Sequence, residues 1–358
     1  MKFYFLLIQL FLFNVFLTGQ TTDTELLIRW EGKQRVATGG VVVEKLVPAL
    51  NIELVRYPTA AAREKAITEL TQAREVWAVE RNQLVNFRAD PNDPEYAAEQ
   101  ANLLRVGYDK AWDLTPGGRT MDGQEIVVAI LDAGFDTRHR DLRDNLWINT
   151  ADAFGDGIDN DGNGYVDDVH GWDMVNDRFT YPTDAHGTQV IGILGAKGNN
   201  GRGVAGTNWD IKMMLLSINS IADIVEAYGY ILEQRQRYNL SGGTEGAFVV
   251  ATNASFGVEG GTCADFPVWG SMYEALGQAG VLTAASTANR SWDVDRFGDM
   301  PTDCTTDFII GVANLGTTDR LHTSSGFGRE SIDLAAPGEG SYSTRPNSTY
   351  GSFASTSA

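Results

Sequence analysis

The chain has 358 residues, 47 acidic against 28 basic side chains for a formal net charge of -19, and 43% hydrophobic residues. This composition supports a sizeable core, and the acidic surface argues against nucleic acid or an anionic membrane as partner, since both call for basic patches. The length accommodates one domain of catalytic size with a smaller companion.

In chain order, Met1-Lys2-Phe3 lead into the apolar run Tyr4 to Leu17, which ends in the small residues Thr18-Gly19. One basic residue, a short apolar stretch and a small-residue exit read as a secretory signal peptide over residues 1–19, not a membrane span. No later segment is long and apolar enough to cross a bilayer, so the expected location is secreted, periplasmic or on the cell surface. Residues 20–90 read as a small α+β unit, with strands at Glu25–Trp30 and Leu50–Val55, a helix from Ala61 to Arg74 and an alternating strand at Val76–Glu80. The run Arg88 to Pro94, dense in Pro, Asp and Asn, reads as an exposed linker into a unit at 91–358.

Beyond it strands and helices alternate. Ile126 to Leu131 is a short continuous apolar run, the pattern of a strand buried on both faces. Helices at 188–194, 221–237 and 268–278 separate strands at 212–218, 248–252, 281–284 and 308–313. The reading is an α/β fold, a mostly parallel sheet with helices on both faces. Asp132 stands at the carboxyl end of the first of these strands, where open α/β sheets hold ligands, although an Asp before Gly also serves as a turn former. Cys263 and Cys304, the only cysteines, are open to two readings in an exported chain: one disulfide or two buried thiols.

Three segments place a potential triad member beside small residues at an element boundary: Asp132-Ala133-Gly134, His186-Gly187-Thr188-Gln189 and Ser355-Thr356-Ser357. A hydroxyl is a weak nucleophile until a base takes its proton, and an imidazole does this best when a carboxylate fixes its tautomer. In this order the segments resemble the subtilisin-like serine peptidases, the subtilase family, whose usual Asp-(Ser/Thr)-Gly, His-Gly-Thr-His and Gly-Thr-Ser motifs each differ by one residue here. His139-Arg140-Asp141-Leu142, Gly203-Val204-Ala205-Gly206, Asn253 to Gly257 and Ile332 to Gly338 extend the resemblance over roughly Pro91 to Ala358. The unit before it, ending in Val76-Trp77-Ala78-Val79-Glu80, is similar to the family's inhibitory propeptide of ferredoxin-like fold.

The resemblance implies a serine endopeptidase that hydrolyses peptide bonds through an acyl-enzyme. Ser357 would attack, His186 would act as base and then acid, and Asp132 would orient His186. Asn289 would hold the oxyanion together with the backbone N–H of Ser357; it is preferred to Thr287 because only an amide donates as that role requires. Ser255, Phe256 and Gly257 would pair with an extended substrate. The pocket for the side chain before the scissile bond would lie between them and Ala284–Thr287. Partners would be protein or peptide substrates and the chain's own propeptide as intramolecular inhibitor, cut near Asp90 to Pro94. No organic cofactor is implied.

Between acid and histidine lies an insert in which Asp159, Asp161 and Asn163, followed by Gly164, repeat the first half of a calcium loop. His170 stands in place of the closing Glu, so the reading is a calcium-stabilised loop unlike an EF-hand, with a solvated acidic turn as the plainer alternative. His139, His170 and His322 read as structural. Ala133 and Ser355, where the family carries Ser or Thr and Gly, support a second functional reading, a catalytically impaired subtilisin-fold binding module. An α/β-hydrolase esterase would need a Gly-x-Ser-x-Gly elbow, which the chain lacks. Because the family starts a helix at its nucleophile, the chain also reads as incomplete at its C-terminus.

Overall fold

A computed structural model describes residues 24–83 and 90–358, so the signal peptide expected over residues 1–19 lies outside the described residues. The chain divides into two compact units, Met1–Phe87 and Arg88–Ala358.

In the smaller unit β1 (Glu25–Trp30), β2 (Val41–Val47) and β3 (Ile52–Arg56) are followed by α1 (Ala60–Leu70) and β4 (Val76–Arg81). The strands form one antiparallel sheet in the order β2-β3-β1-β4. Thr59 starts α1 by accepting the Ala62 N–H, and the helix lays Ala66 and Leu70 against Leu26, Ile28 and Val55 of the sheet. Residues 31–40, where a ferredoxin-like unit would carry a helix, form a loop instead.

In the larger unit three short helices, α2 (Pro94–Glu99), α3 (Ala101–Arg105) and α4 (Tyr108–Trp112), precede β5 (Val127–Asp132). Next come β6 (Gly171–Asp173), α5 (Ala185–Gly195), β7 (Lys212–Ser217), α6 (Ile221–Ser241), β8 (Val249–Ala254), β9 (Val258–Glu259), α7 (Pro267–Gln278) and β10 (Leu282–Ser286). The chain continues through β11 (Trp292–Asp293), α8 (Val294–Phe297), β12 (Asp299–Met300), β13 (Ile309–Asn314), β14 (Gly326–Phe327), β15 (Leu334–Ala336) and the hairpin β16 (Ser341–Arg345) and β17 (Thr349–Phe353). Seven strands pair in parallel in the order β15-β13-β10-β8-β5-β7-β6.

All six residues of β5 are buried, because successive side chains enter different cores. Ala129 and Leu131 pack with Tyr228, Ile231, Trp269 and Tyr273 of α6 and α7, while Val128 and Ile130 pack with Val190 and Ile191 of α5. Each fully buried aliphatic side chain stabilises the fold by roughly 1.5–3 kcal/mol, which fixes the strand and the position of its end. Helix α6 opens on a capping box of Ser220 and Asp223 and runs past the expected Arg237 to Ser241, where Gly242 in the left-handed region ends it.

The expectation of an exposed linker over residues 88–94 does not hold at Pro91 and Asp93. Pro91 and Asp93 are buried, and the Asp93 carboxylate accepts the N–H groups of Asn199 and Asn200, which ties this arm to a loop a hundred residues away. Pro94, inside the expected linker, begins α2.

Cys263 and Cys304 form a disulfide with an S–S distance of 1.99 Å and a sequence separation of 41. It joins the loop after β9 to the segment after β12. Closing a loop of that length in the unfolded chain gives an expected stabilisation of about 4 kcal/mol. The double variant C263A/C304A should therefore unfold at clearly lower urea concentration than the parent; coincident unfolding curves would show that the bridge adds nothing.

Candidate active site

Strand β5 delivers Asp132 to its carboxyl end, 5% exposed, between β7 and β8. Helix α5 brings His186 to the same place. Asp184 caps that helix by accepting the N–H groups of His186 and Gly187, which sets the first turn and the direction of the imidazole. The helix can approach this closely only because residue 187 has no side chain: a Cβ there would lie 2.2 Å from the Gly134 carbonyl oxygen and 3.1 Å from the Asp132 side chain.

The imidazole Nδ1 lies 2.9 Å from both Asp132 oxygens. An ionised carboxylate only accepts, so Nδ1 carries the proton and Nε2 is left as the free basic nitrogen. The ring of Phe353 stands edge-on to His186 at 5.6 Å. The hydrogen bond that His186 donates to Asp132 holds the His186 pKa above its ordinary value of 6.5, against the opposing effect of burial. Asp132 Oδ1 also accepts the N–H of Ala133, whose own side chain is exposed, so Ala in place of Ser or Thr leaves the pair intact. Gln189, where the family motif has a second His, is turned away to donate to the Ser352 carbonyl.

The serine end of the constellation is arranged differently. Ser357 accepts a hydrogen bond from Ser255 Oγ at its carbonyl oxygen, 3.3 Å away, and its own N–H donates to Ser355 Oγ at 3.0 Å. Among the described residues no hydrogen bond joins Ser357 to His186. Asn289 is exposed; its Oδ1 accepts both the N–H and the hydroxyl of Thr356, at 3.1 and 2.9 Å, and among the described residues its Nδ2 donates to no partner. Thr287, the other residue considered for that role, is buried with its hydroxyl donated to Asp299.

Ser255, Phe256 and Gly257 follow β8, and Ser286 to Asn289 lie at the end of the neighbouring β10. Between them lies a cavity of about 230 Å³ whose lining also includes Glu259 and Asp299. Asp184 and Asp299 escaped the sequence reading; a Ser, Thr, Asp or Asn ahead of an apolar helix is the signal that finds Asp184, whereas Asp299 has no motif around it.

Many of the side-chain oxygens of the acidic insert are bonded within it. Asp159 accepts the N–H groups of Gly162, Asn163 and Gly164, Asp161 accepts from Asn163 N–H and the Asn149 amide, and Asn163 accepts the Tyr165 N–H. Among the described residues no group of three or more His, Cys, Asp or Glu could hold a metal ion, and oxygens of Asp159, Asp161 and Asn163 are engaged by N–H groups of their own loop. Asp168 beside them is fully buried and its pKa is pushed up to about 6 by that burial. The other histidines are held by ordinary bonds: fully buried His139 receives the Asp141 N–H at Nδ1 and donates from Nε2 to Thr349, His170 pairs with the Trp147 carbonyl, and His322 with Ser324.

A sequence profile described as the Subtilase family matches residues 123–358. The chain is 29% identical over 249 residues to the subtilisin-like protease 1 of Plasmodium falciparum, covering 62% of this chain and 34% of that protein. It is 29% identical to an extracellular protease of Xanthomonas campestris, over 84% of this chain and 52% of that protein, and 26% identical to thermitase of Thermoactinomyces vulgaris, over 75% and 80%. It thus spans about a third of the length of the Plasmodium relative. Among solved structures, a protease from Pseudoalteromonas arctica aligns with a TM-score of 0.51 at 25% identity, over 75% of this chain and 83% of that one. The Staphylococcus aureus epidermin leader peptide processing protease aligns with a TM-score of 0.51 at 16% identity over 93% and 84%, which shows the shared fold. The profile match runs through the parallel sheet, the Asp132–His186 pair and Ser357, and with it the chain belongs to the subtilase family.

Proposed function

We propose that the protein is an exported serine endopeptidase using Ser357, His186 and Asp132. The observation that carries this reading is the Asp132–His186 pair, bonded at 2.9 Å with Nε2 left free at the carboxyl end of the central strand. In the proposed mechanism Nε2 takes the Ser357 Oγ proton as Oγ attacks the peptide carbonyl. Asp132 stabilises the imidazolium, and the protonated ring then donates to the leaving amine. Asn289 Nδ2 and the Ser357 N–H would stabilise the oxyanion, and hydrolysis of the acyl-enzyme repeats the sequence with water. The Ser357–His186 bond forms with substrate in place, as such bonds commonly tighten only in the complex. Purified full-length protein should cleave an unstructured protein substrate and lose that activity on treatment with a serine-directed sulfonyl fluoride; unimpaired cleavage after such treatment would contradict the reading.

Residues 20–90 are proposed as the inhibitory propeptide, and the buried Pro91 with the buried, bonded Asp93 favours processing on the N-terminal side of Pro91. Export rests on the signal-like first 19 residues. Among the described residues no helix is long and apolar enough to cross a membrane.

Calcium at the 156–168 loop is proposed on charge, not on a converged ligand set. Asp152, Asp167 and Asp168 are buried there and Asp161 nearly so, with the single cation Arg237 at 3.7 Å from Asp161 among the described residues. Binding to the folded state alone stabilises by about 2.7 kcal/mol at one hundred times the Kd. The Tm should accordingly rise on adding calcium to chelator-treated protein and stay put in D159N/D161N; a Tm indifferent to calcium in the parent would remove the ion from the account.

A further inference from the structure

The cavity between the ends of β8 and β10 contains a buried acid that the proposed chemistry does not use. Asp299, on β12, is 2% exposed yet lines this cavity. The β9–β12 ladder pairs Asp299 with Glu259 and Met300 with Val258, which holds β12 beside the strand that follows Ser255 to Gly257, and Asp299 shares the lining of the cavity with those three residues. Its Oδ2 accepts three hydrogen bonds, from the Thr287 hydroxyl at 3.0 Å, the Ala288 N–H at 2.8 Å and the Thr302 hydroxyl at 2.8 Å. These neutral donors fix the orientation of the group. Oδ1 has no hydrogen bond, and no cation is paired with Asp299 among the described residues. Glu259, the other acid of the cavity, is already matched by an ion pair with Arg290.

A buried carboxylate without a countercharge is costly, and burial accordingly raises the Asp299 pKa above its ordinary value. The missing element is a cation reaching Oδ1 from the cavity. We propose that Asp299 is a specificity-determining residue that selects a substrate with Lys or Arg immediately before the scissile bond, the basic group of that side chain pairing with the free Oδ1. This inference rests on the reading of the protein as an endopeptidase and names the substrate class of that same site.

The test uses full-length protein and fluorogenic peptides identical except for Lys, Arg, Gln, Leu or Phe at that position. The kcat/KM for Lys or Arg is expected to exceed that for Leu or Phe by about 10²-fold or more, because a site built around a buried polar group rejects a side chain that leaves it unpaired. In D299N, which keeps the shape of the group and removes its charge, the Lys-to-Leu ratio of kcat/KM should fall by about 10²-fold. Parent enzyme that cleaves the Leu, Phe or Gln peptide as fast as the Lys and Arg peptides overturns the assignment of Asp299 while leaving the endopeptidase reading in place. Should D299N fail to fold, the parent ranking decides by itself. A folded protein that cleaves none of the peptides and takes up no fluorophosphonate overturns the endopeptidase reading, and this inference with it.

Discussion

Replacing Asp132 by Asn is expected to lower kcat by about 10⁴-fold with little change in fold or KM. The carboxylate has one task that geometry makes visible: both of its oxygens lie 2.9 Å from His186 Nδ1, which forces the tautomer in which Nε2 is the base. An Asn side chain can turn its NH₂ toward Nδ1, in which case the proton moves to Nε2 and the base is lost. The pH profile provides a second readout. In the parent the Asp132 hydrogen bond raises the His186 pKa, so the acid limb of kcat/KM should fall above pH 6.5, and in D132N it should move toward lower pH. Stability follows the same linkage with a definite sign: because the folded-state pKa is the higher one, the contribution of the charged pair is complete below about pH 6.5 and is lost as pH rises through the folded pKa. A D132N variant with unchanged kcat would remove Asp132 from the mechanism.

Replacing Ser355 by Gly is expected to raise kcat by up to about 10²-fold. In the present arrangement the Ser357 N–H, one of the two proposed oxyanion donors, is engaged by Ser355 Oγ at 3.0 Å. A single oxyanion donor contributes about 10²–10³ in kcat, and the developing charge must compete with the hydroxyl for this one. Removing the hydroxyl frees the N–H without touching Asn289. An unchanged kcat in S355G would show that the Ser355 hydroxyl gives way without cost when substrate binds.

What could be read in the sequence and what could not divides by the reach of the forces involved. Strand β5 was legible because all of its residues are buried, so its apolar run is continuous, and Asp132 was legible as its end. Gly187 stands where α5 touches the Asp132 loop and Gly134 where that loop meets the Pro182 carbonyl, which is why small residues flank the motif residues. The arm at 91–112 was not legible: its helices are five or six residues long and are held by partners about a hundred residues away, Asp93 by Asn199 and Asn200, Gln100 by Ala205. Strand β2 was missed because its seven residues are all exposed and show no alternation. The choice of Asn289 over Thr287 rested on donor chemistry alone, and only the structure shows the Thr287 hydroxyl committed to Asp299. Alternating oxygen-bearing residues suggested a calcium loop, but spacing alone carries no information on where those side chains turn, and here they turn toward their own backbone N–H groups.

In the proposed mechanism Ser357 is the nucleophile and His186 its base. The most direct measurement is the reaction of folded, full-length protein with a fluorophosphonate, followed by mapping of the adduct by mass spectrometry. One adduct per chain is expected, on Ser357 Oγ, formed much more slowly in His186→Ala. Folded protein that forms no adduct at Ser357, or forms it equally fast without His186, would contradict the account and favour a binding module built on the same fold.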